Sequence, residues 1–372
     1  MRKGWETKKL SEIAQHSLGK MLDKTKNKGE PKPYLRNFNV RWFDFDLSDV
    51  LEMPFLPEEA SKYTAVKGDL LVCEGGYPGR AAIWTDDEPI YFQKALHRVR
   101  FNEPERNKWF LYYLHARDLD GTLKKHFNGA GIQHFTGEAL AQFELPIPPL
   151  SEQQRIVGIL DKAFAGLATA KANAEKNLQN ARAVFDSHVE SVFTHHGREW
   201  KLRPFEDCIE DVKYTTKIKR TDFLEEGNFP IVSQESEFTN GWWDDDADLF
   251  RATSPVVIFG DHTKVLKYID FDFVLGADGV KILQPKPILS PKFFFYLLKS
   301  VRLKSLGYSR HYRLLKELSL RFPGREEQTA IAIKLDALST ETQRLESLYQ
   351  RKLAALEALK KSLLHQAFTG AL

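Results

Sequence analysis

The feature that most limits what this chain can fold into is an internal repeat. Leu145-Pro146-Ile147-Pro148-Pro149-Leu150-Ser151-Glu152-Gln153-Gln154-Arg155-Ile156 lies over Leu320-Arg321-Phe322-Pro323-Gly324-Arg325-Glu326-Glu327-Gln328-Thr329-Ala330-Ile331 without a gap. Leucine, proline, Glu-Gln and isoleucine coincide. At the same offset Leu160-Asp161 meets Leu335-Asp336, Leu178 meets Leu353, and Phe193-Thr194 meets Phe368-Thr369. A register held that far marks a structural unit used twice. Ahead of it the halves agree more loosely, through Trp5 to Leu10 with Trp200 to Phe205, and Trp109 to Leu114 with Phe293 to Leu298. The 372 residues suit two or three domains, and the expected order is a variable domain over 1–150, a repeated segment over 151–196, a second variable domain over 197–324 and a second repeated segment over 325–372.

Both repeated segments read as long helices. Pro148 and Pro323 close what precedes them, and Glu152 or Glu326-Glu327 place acid in the first turn, where the helix dipole favours it. In the second, Ile331, Leu335, Leu338, Thr342, Leu345, Tyr349, Lys352, Leu356, Leu359 and Leu363 alternate steps of four and three, the period of a coiled coil. In the first, Ile156, Leu160, Ala163, Leu167, Ala170, Ala174, Leu178, Ala181, Phe185 and Val192 give an alanine-rich stripe. A small-residue stripe facing a leucine-rich one predicts close antiparallel packing, with each helix on the order of 60 Å long. The competing reading, two core helices of one globular enzyme, leaves the copied junction without a purpose. His195-His196 reads as a helix C-terminus stabilised by imidazole rather than a metal site.

The variable domains mix strands and helices, giving an α+β class overall. Strand-like runs are Asp69 to Cys73, Ala82 to Trp84 and Leu96 to Phe101, then Val256 to Gly260, Tyr268 to Phe271 and Gly279 to Leu283. Asn107 to His115 and Pro291 to Leu298 read as short helices with aromatic core positions.

Several chemistries are missing from the sequence. It holds no G-x-x-x-x-G-K-[ST] loop for ATP, no H-E-x-x-H, no G-x-S-x-G, and no Asn-Pro-Pro-Tyr type motif to hold a flipped adenine. Phe127-Asn128-Gly129-Ala130-Gly131 imitates a cofactor turn without the context of one. Cys73 and Cys208 stand far apart and read as small core residues, excluding a disulfide framework. No apolar run reaches the ~20 residues of a membrane span, and the opening residues lack a signal-peptide pattern. The expectation is a cytoplasmic chain, without membrane contact, and with no catalytic, cofactor or metal site of its own.

Net charge is only +3, so contact with nucleic acid must come from local patches. Lys20, Lys24, Lys26, Lys28, Lys32 and Arg36 form a basic loop early in the first domain, and Tyr214, Lys217, Lys219 and Arg220 follow Trp200 in the second. Lys124, Lys125, Gln133 and His134 lie near the end of one domain; Lys299, Arg302, Lys304, Arg310, His311 and Arg313, with Tyr308 and Tyr312, lie near the end of the other. A single charge run is ordinarily a solvated face; recurrence in both halves points to phosphate. Lysine and arginine neutralise phosphates, while Gln, His and Arg pair with base edges. The base-reading candidates are Gln133, His134, Lys217, Gln234, His262, Arg310 and His311, with Lys264 beside them.

The whole pattern resembles the specificity subunit of type I restriction-modification systems. The resemblance rests on Gly131 to Leu140 running into Leu145 to Val157, on Phe259-Gly260-Asp261-His262-Thr263 with Gly276-Ala277-Asp278-Gly279-Val280-Lys281, and on the closing Leu363 to Gly370. It implies two target-recognition domains that each read one half of a split site on double-stranded DNA, with paired helices setting the spacing. It further implies docking of two methyltransferase subunits and of restriction subunits. S-adenosylmethionine, and ATP with Mg, would then belong to those partners. The opposing expectation is a coiled-coil scaffold that joins proteins without reading DNA.

Overall fold

The computed structural model describes residues 4–23, 25–195, 197, 199–277, 279–304, 307 and 309–372. Lys24, His196, Asp278 and Tyr308 lie outside them. The chain forms two compact units, Met1–Ala174 with Arg351–Leu372, and Glu175–Gln350. The unit boundaries therefore fall within the long helices rather than at their ends.

In the first unit, Glu6–Lys9 pairs antiparallel with Glu144–Ile147 and ties the start of the variable region to its end. One antiparallel sheet has the order Ala14–Leu18, Leu96–Phe101, Leu70–Cys73, Ala81–Ile83. A second runs Leu51–Phe55, Glu30–Leu35, Ile90–Phe92, Thr64–Ala65, with Ile90–Phe92 parallel to Glu30–Leu35. Leu70–Cys73 is apolar throughout because both its faces are covered. Leu70 and Val72 pack with Trp109 and Phe110, while Leu71 and Cys73 pack with Leu35, Trp84 and Phe92. Helix Asn107–Leu119 supplies the aromatic side of that core and stops at Asp120, before Gly121 in the left-handed region at φ 76°.

The second unit carries a matching set of parts. Lys201–Pro204 pairs antiparallel with Ser319–Phe322, and Leu266–Ile269, Val256–Gly260 and Val280–Leu283 form an antiparallel sheet. Lys217–Ile218, Phe273–Gly276, Phe229–Val232 and Gly241–Trp243 form a mixed sheet, to which Leu249–Phe250 adds at Phe273–Gly276. Val257 and Phe259 face the core of helix Pro291–Ser300, and Val256 and Ile258 face Val232, Phe273 and Leu275. Pro291 opens that helix at a position where a missing N–H costs nothing.

The long helices run Leu150–Thr194 and Arg325–Thr369. On the first, the expected stripe is the one turned inward, with Phe164 and Val189 added. On the second, the expected stripe holds, Leu356 and Leu363 included, except at Lys352 and Leu359, which are exposed while their neighbours Leu353 and Lys360 turn inward, with Leu364 added near the end. A straight helix drifts by about 20° per heptad against a 3.5-residue repeat, which turns those two positions outward and the residues after them inward. In the first unit Ile156 and Leu160 share a core with Leu364, Ala367 and Phe368, and Lys171 Nζ meets Glu357 Oε1 at 2.9 Å. In the second, Phe185 and Val189 pack with Leu335, and Arg182 Nε meets Glu346 Oε2 at 3.0 Å. At the end of the first long helix a ring nitrogen of His195 lies 3.3 Å from the Ser191 carbonyl oxygen, consistent with a capping role. Cys73 and Cys208 are buried free thiols, and burial pushes Cys73 up to about 12. Among the described residues no helix is long and apolar enough to cross a membrane.

Candidate nucleic-acid interface

In the first unit the early basic loop is less free than its sequence suggests. Lys20 is buried: its Nζ donates to Pro54 O at 2.9 Å and to Glu59 Oε2 at 2.5 Å and lies over the Phe55 ring. It is thus a core cation and is corrected out of the phosphate-binding set. Arg36 Nη2 donates to both the backbone and the carboxylate of Asp49, at 2.9 and 2.6 Å, which ties the guanidinium to an acid although its Nε has no hydrogen-bond partner among the described residues. Lys32 pairs with Glu30 at 2.9 Å. Lys26 and Lys28 stay exposed. They sit on a turn built by Asp23, whose Oδ1 accepts from Thr25 N, Thr25 Oγ1 and Lys26 N at 3.0, 2.7 and 3.2 Å. Those bonds hold the Asp23 carboxyl below the usual range.

Lys124, Lys125, Gln133 and His134 come together on neighbouring loops. Thr122–His126 is a short 3-10 turn that exposes both lysines. Asn128 and His134 exchange backbone hydrogen bonds, each 2.8 Å, closing a loop that exposes Gln133 and Ile132. The glycine-rich stretch that imitates a cofactor turn is therefore a β-bridged loop. Gly75 and Gly79 bring a third loop against it: a Cβ at Gly75 would lie 3.1 Å from His134 Nδ1, and one at Gly79 2.5 Å from Leu123 Cδ2. These glycines allow close approach of backbone to side chain.

In the second unit, Tyr214, Lys217 and Tyr312 line one cavity of about 500 Å³ together with Lys281, Glu210 and Asp211. Lys217 Nζ lies 5.1 Å from the Tyr214 ring centre and Lys281 Nζ 5.2 Å from that of Tyr312. Tyr214 Oη accepts from Ile282 N at 3.0 Å, and burial raises both phenols above their ordinary value. Lys281, absent from the sequence-based candidates, lines the same cavity; the signal was a lone lysine inside the apolar strand Val280–Leu283. Two rings, each carrying a cation, suit a nucleotide by stacking and by phosphate contact.

Gln234 and His262 are also neighbours: Gln234 Oε1 accepts from His262 N at 3.3 Å, and Gln234 O accepts from Thr263 Oγ1 at 2.6 Å. Gly279, at φ 77°, leaves space beside them that a Cβ would fill, 2.4 Å from Gln234 Oε1. His311, in contrast, is fully buried, with Nδ1 2.9 Å from Asp261 O. Asp261 Oδ1 accepts from Tyr312 N at 2.7 Å, so Asp261 and His311 position Tyr312. His311 is corrected from base reader to internal support, because no surface of its ring is free. Arg302 forms an ion pair with Glu190 of the first long helix and lines, with Lys264 and Lys299, a separate cavity of about 450 Å³. Lys219, Arg220, Lys304, Arg310 and Arg313 are exposed, with Arg220 3.8 Å from Glu235. Among the described residues no group of three or more His, Cys, Asp or Glu is placed to hold a metal ion.

Residues 2–178 and 197–355 both match the type I restriction modification DNA specificity domain. The chain belongs to the type I restriction-modification specificity subunit family. DNA target recognition is the role that membership implies. The chain is 22% identical to the type I restriction enzyme MjaVIII specificity subunit of Methanocaldococcus jannaschii, over 70% of this chain and 69% of that one. It is 22% identical to the putative MjaX specificity subunit of the same organism, over 98% and 93%. Among solved structures, one reported for complex assembly and conformational transition of the type I R-M system aligns over 100% of this chain and 99% of its own, at TM-score 0.80 and 18% identity. The HsdS subunit from Thermoanaerobacter tengcongensis aligns over 100% and 98%, at TM-score 0.60 and 17% identity. At such identities these likenesses speak for the fold of the family.

Proposed function

We propose that this chain reads a two-part target on double-stranded DNA, one half-site for each variable domain, and carries no catalysis itself. The observation that supports it most is that one chain matches the DNA specificity domain twice, with exposed cations on loops of both units. The two long helices act as an antiparallel coiled coil in a pseudo-twofold repeat. They dock two methyltransferase subunits, which bring S-adenosylmethionine, and restriction subunits, which bring ATP and Mg, in the cytoplasm. Lys26, Lys28, Lys124, Lys125, Lys219, Arg220, Lys304 and Arg313 contact phosphates; Gln133, His134, Lys217, Gln234, His262 and Arg310 read base edges. Tyr214, Tyr312 and Lys281 support the reading surface.

The test is co-expression with the cognate methyltransferase subunit in a host free of DNA methylation, followed by single-molecule sequencing for N6-methyladenine. A split motif that vanishes without this chain is expected. Replacing residues 1–150 by a relative's domain should change one half of the motif only, and Arg310→Ala should alter one half-site. A purified complex with no motif and no DNA affinity would sink the reading in favour of a scaffold.

A further inference from the structure

The same three-residue contact occurs in each unit. In the first, Tyr112 Oη donates to Asp161 Oδ1 at 2.8 Å and Lys108 Nζ reaches Asp161 Oδ2 at 2.7 Å. In the second, Tyr296 Oη donates to Asp336 Oδ1 at 2.6 Å and Lys292 Nζ lies 3.4 Å from the same oxygen. Lysine and tyrosine stand four apart on one helix face, Asn107–Leu119 or Pro291–Ser300, and the aspartate lies on a long helix. Burial, then the carboxylate, raises both phenols well above their ordinary value. Each tyrosine thus keeps its proton and donates at any pH the protein meets.

A second fixed point accompanies each contact. Gln153 Nε2 donates to Pro148 O at 2.7 Å, and Gln328 Nε2 to Pro323 O at 2.9 Å, both side chains being buried. Glutamine and aspartate are eight residues apart on each long helix, a separation of about 12 Å along the axis. In the first unit that corner bond alone would leave the variable domain free to pivot on its helix; in the second, Ser290 N donating to Gln328 Oε1 at 2.7 Å, Arg325 donating to Pro287 O at 3.0 Å and the Arg302–Glu190 pair add further ties, so the first unit is the sharper test. Apolar contacts around it resist separation but carry little directional preference, whereas a hydrogen bond falls off steeply with angle. A second directional contact further along the helix removes the pivot.

We propose that Lys108–Tyr112–Asp161 and Lys292–Tyr296–Asp336 are positioning latches that hold each recognition domain at one angle on its long helix and so make the protein strict about the spacing between its half-sites. This rests on the two-part reading proposed above. The latches touch no base; they set where the base-reading loops are presented. Slack equal to one base-pair rise, about 3.4 Å, is enough to admit a spacer one pair longer or shorter.

The experiment compares the full chain with Tyr112→Phe, Asp161→Asn, Tyr296→Phe and Lys108→Arg in complex with the methyltransferase subunit. Thermal midpoints identify variants that stay folded; the Phe and Asn changes keep side-chain volume, and Lys108→Arg keeps the ion pair. Methylation is mapped genome-wide. The expected result is unchanged half-sites, with methylation at spacers one pair off rising about three- to tenfold in the Phe and Asn variants, as loss of one hydrogen bond allows, and wild-type strictness for Lys108→Arg. Strict spacing in every folded latch variant, or altered half-sites in place of altered spacing, overturns the proposal. An independent arm places spin labels at Thr25→Cys and Thr169→Cys, both exposed positions of the first unit, the native thiols being buried. A broader distance distribution in Tyr112→Phe supports the latch, and an equally narrow one overturns it. Should wild type write no split motif, the DNA reading fails while the spin-label arm still judges the latch.

Discussion

Two lysines of one loop show how much a residue's partners decide its role. Lys20 and Lys28 look alike in sequence, yet only Lys28 is exposed. Lys20→Ala should cost about 1–3 kcal/mol by leaving the part-buried Glu59 and the Pro54 carbonyl without their donor, seen in urea denaturation, with the salt dependence of DNA binding unchanged. Lys28→Ala should leave stability alone, weaken binding on all sequences and reduce the salt slope by about 1. Two buried histidines act on stability in another way. His97 is held down to about 4 by burial and then by His16, and His115 to about 3 by burial and then by Lys360. Neither ring takes a proton when folded until well below 6.5, whereas the unfolded chain does so near 6.5. Stability is therefore full above that value and falls as pH drops towards 4, by about 2 kcal/mol per histidine at pH 5. Neither nitrogen of His115 has a hydrogen-bond partner among the described residues, and the ring packs against Trp42 and Phe43. His115→Phe should consequently flatten the loss between pH 7 and pH 5, measured as the urea midpoint at each pH.

At the scale of elements, apolar pattern was the legible part. The runs at Leu70, Leu96, Val256 and Val280 became strands because four to six apolar or alternating residues between turns have few other uses. The parallel pairings of Ile90–Phe92 with Glu30–Leu35 and of Phe273–Gly276 with Phe229–Val232 were not legible, since nothing local states which distant strand is a neighbour. The basic patches were visible as charge but not as geometry. Whether Lys20 or His311 faces water depends on Glu59 and Asp261, which lie far off in the chain. The long-helix stripe was legible apart from Lys352 and Leu359, where the helical drift turns the side chain outward. Leu160→Ala, in the core, should cost about 2–5 kcal/mol; Leu359→Ala, on the exposed side, should stay within about 0.5 kcal/mol. Equal penalties in thermal or urea unfolding would place Leu359 on the packed face of the helix.

At the scale of the whole chain, the first unit is closed by residues from its far end. Phe368 lies 4.8 Å from Trp109 and 5.1 Å from Tyr113, ring centre to ring centre, and Leu364 and Ala367 are buried in the same core. Ending the chain after Gln350 should therefore destabilise the first unit, by removing its Arg351–Leu372 segment. Hydrogen exchange would show it as lost protection in helix Asn107–Leu119; protection equal to the full chain's would mean that residues 1–174 suffice by themselves.

That closure bears on how the protein is made. A ribosome emits Trp109 and Leu114 early and Phe368 only after every residue of the second unit has followed. Until then the aromatic surface around Trp109 and Tyr113 lacks the cover that Leu364, Ala367 and Phe368 supply. Translation speed and early termination thus bear on the half of the molecule that was synthesised first.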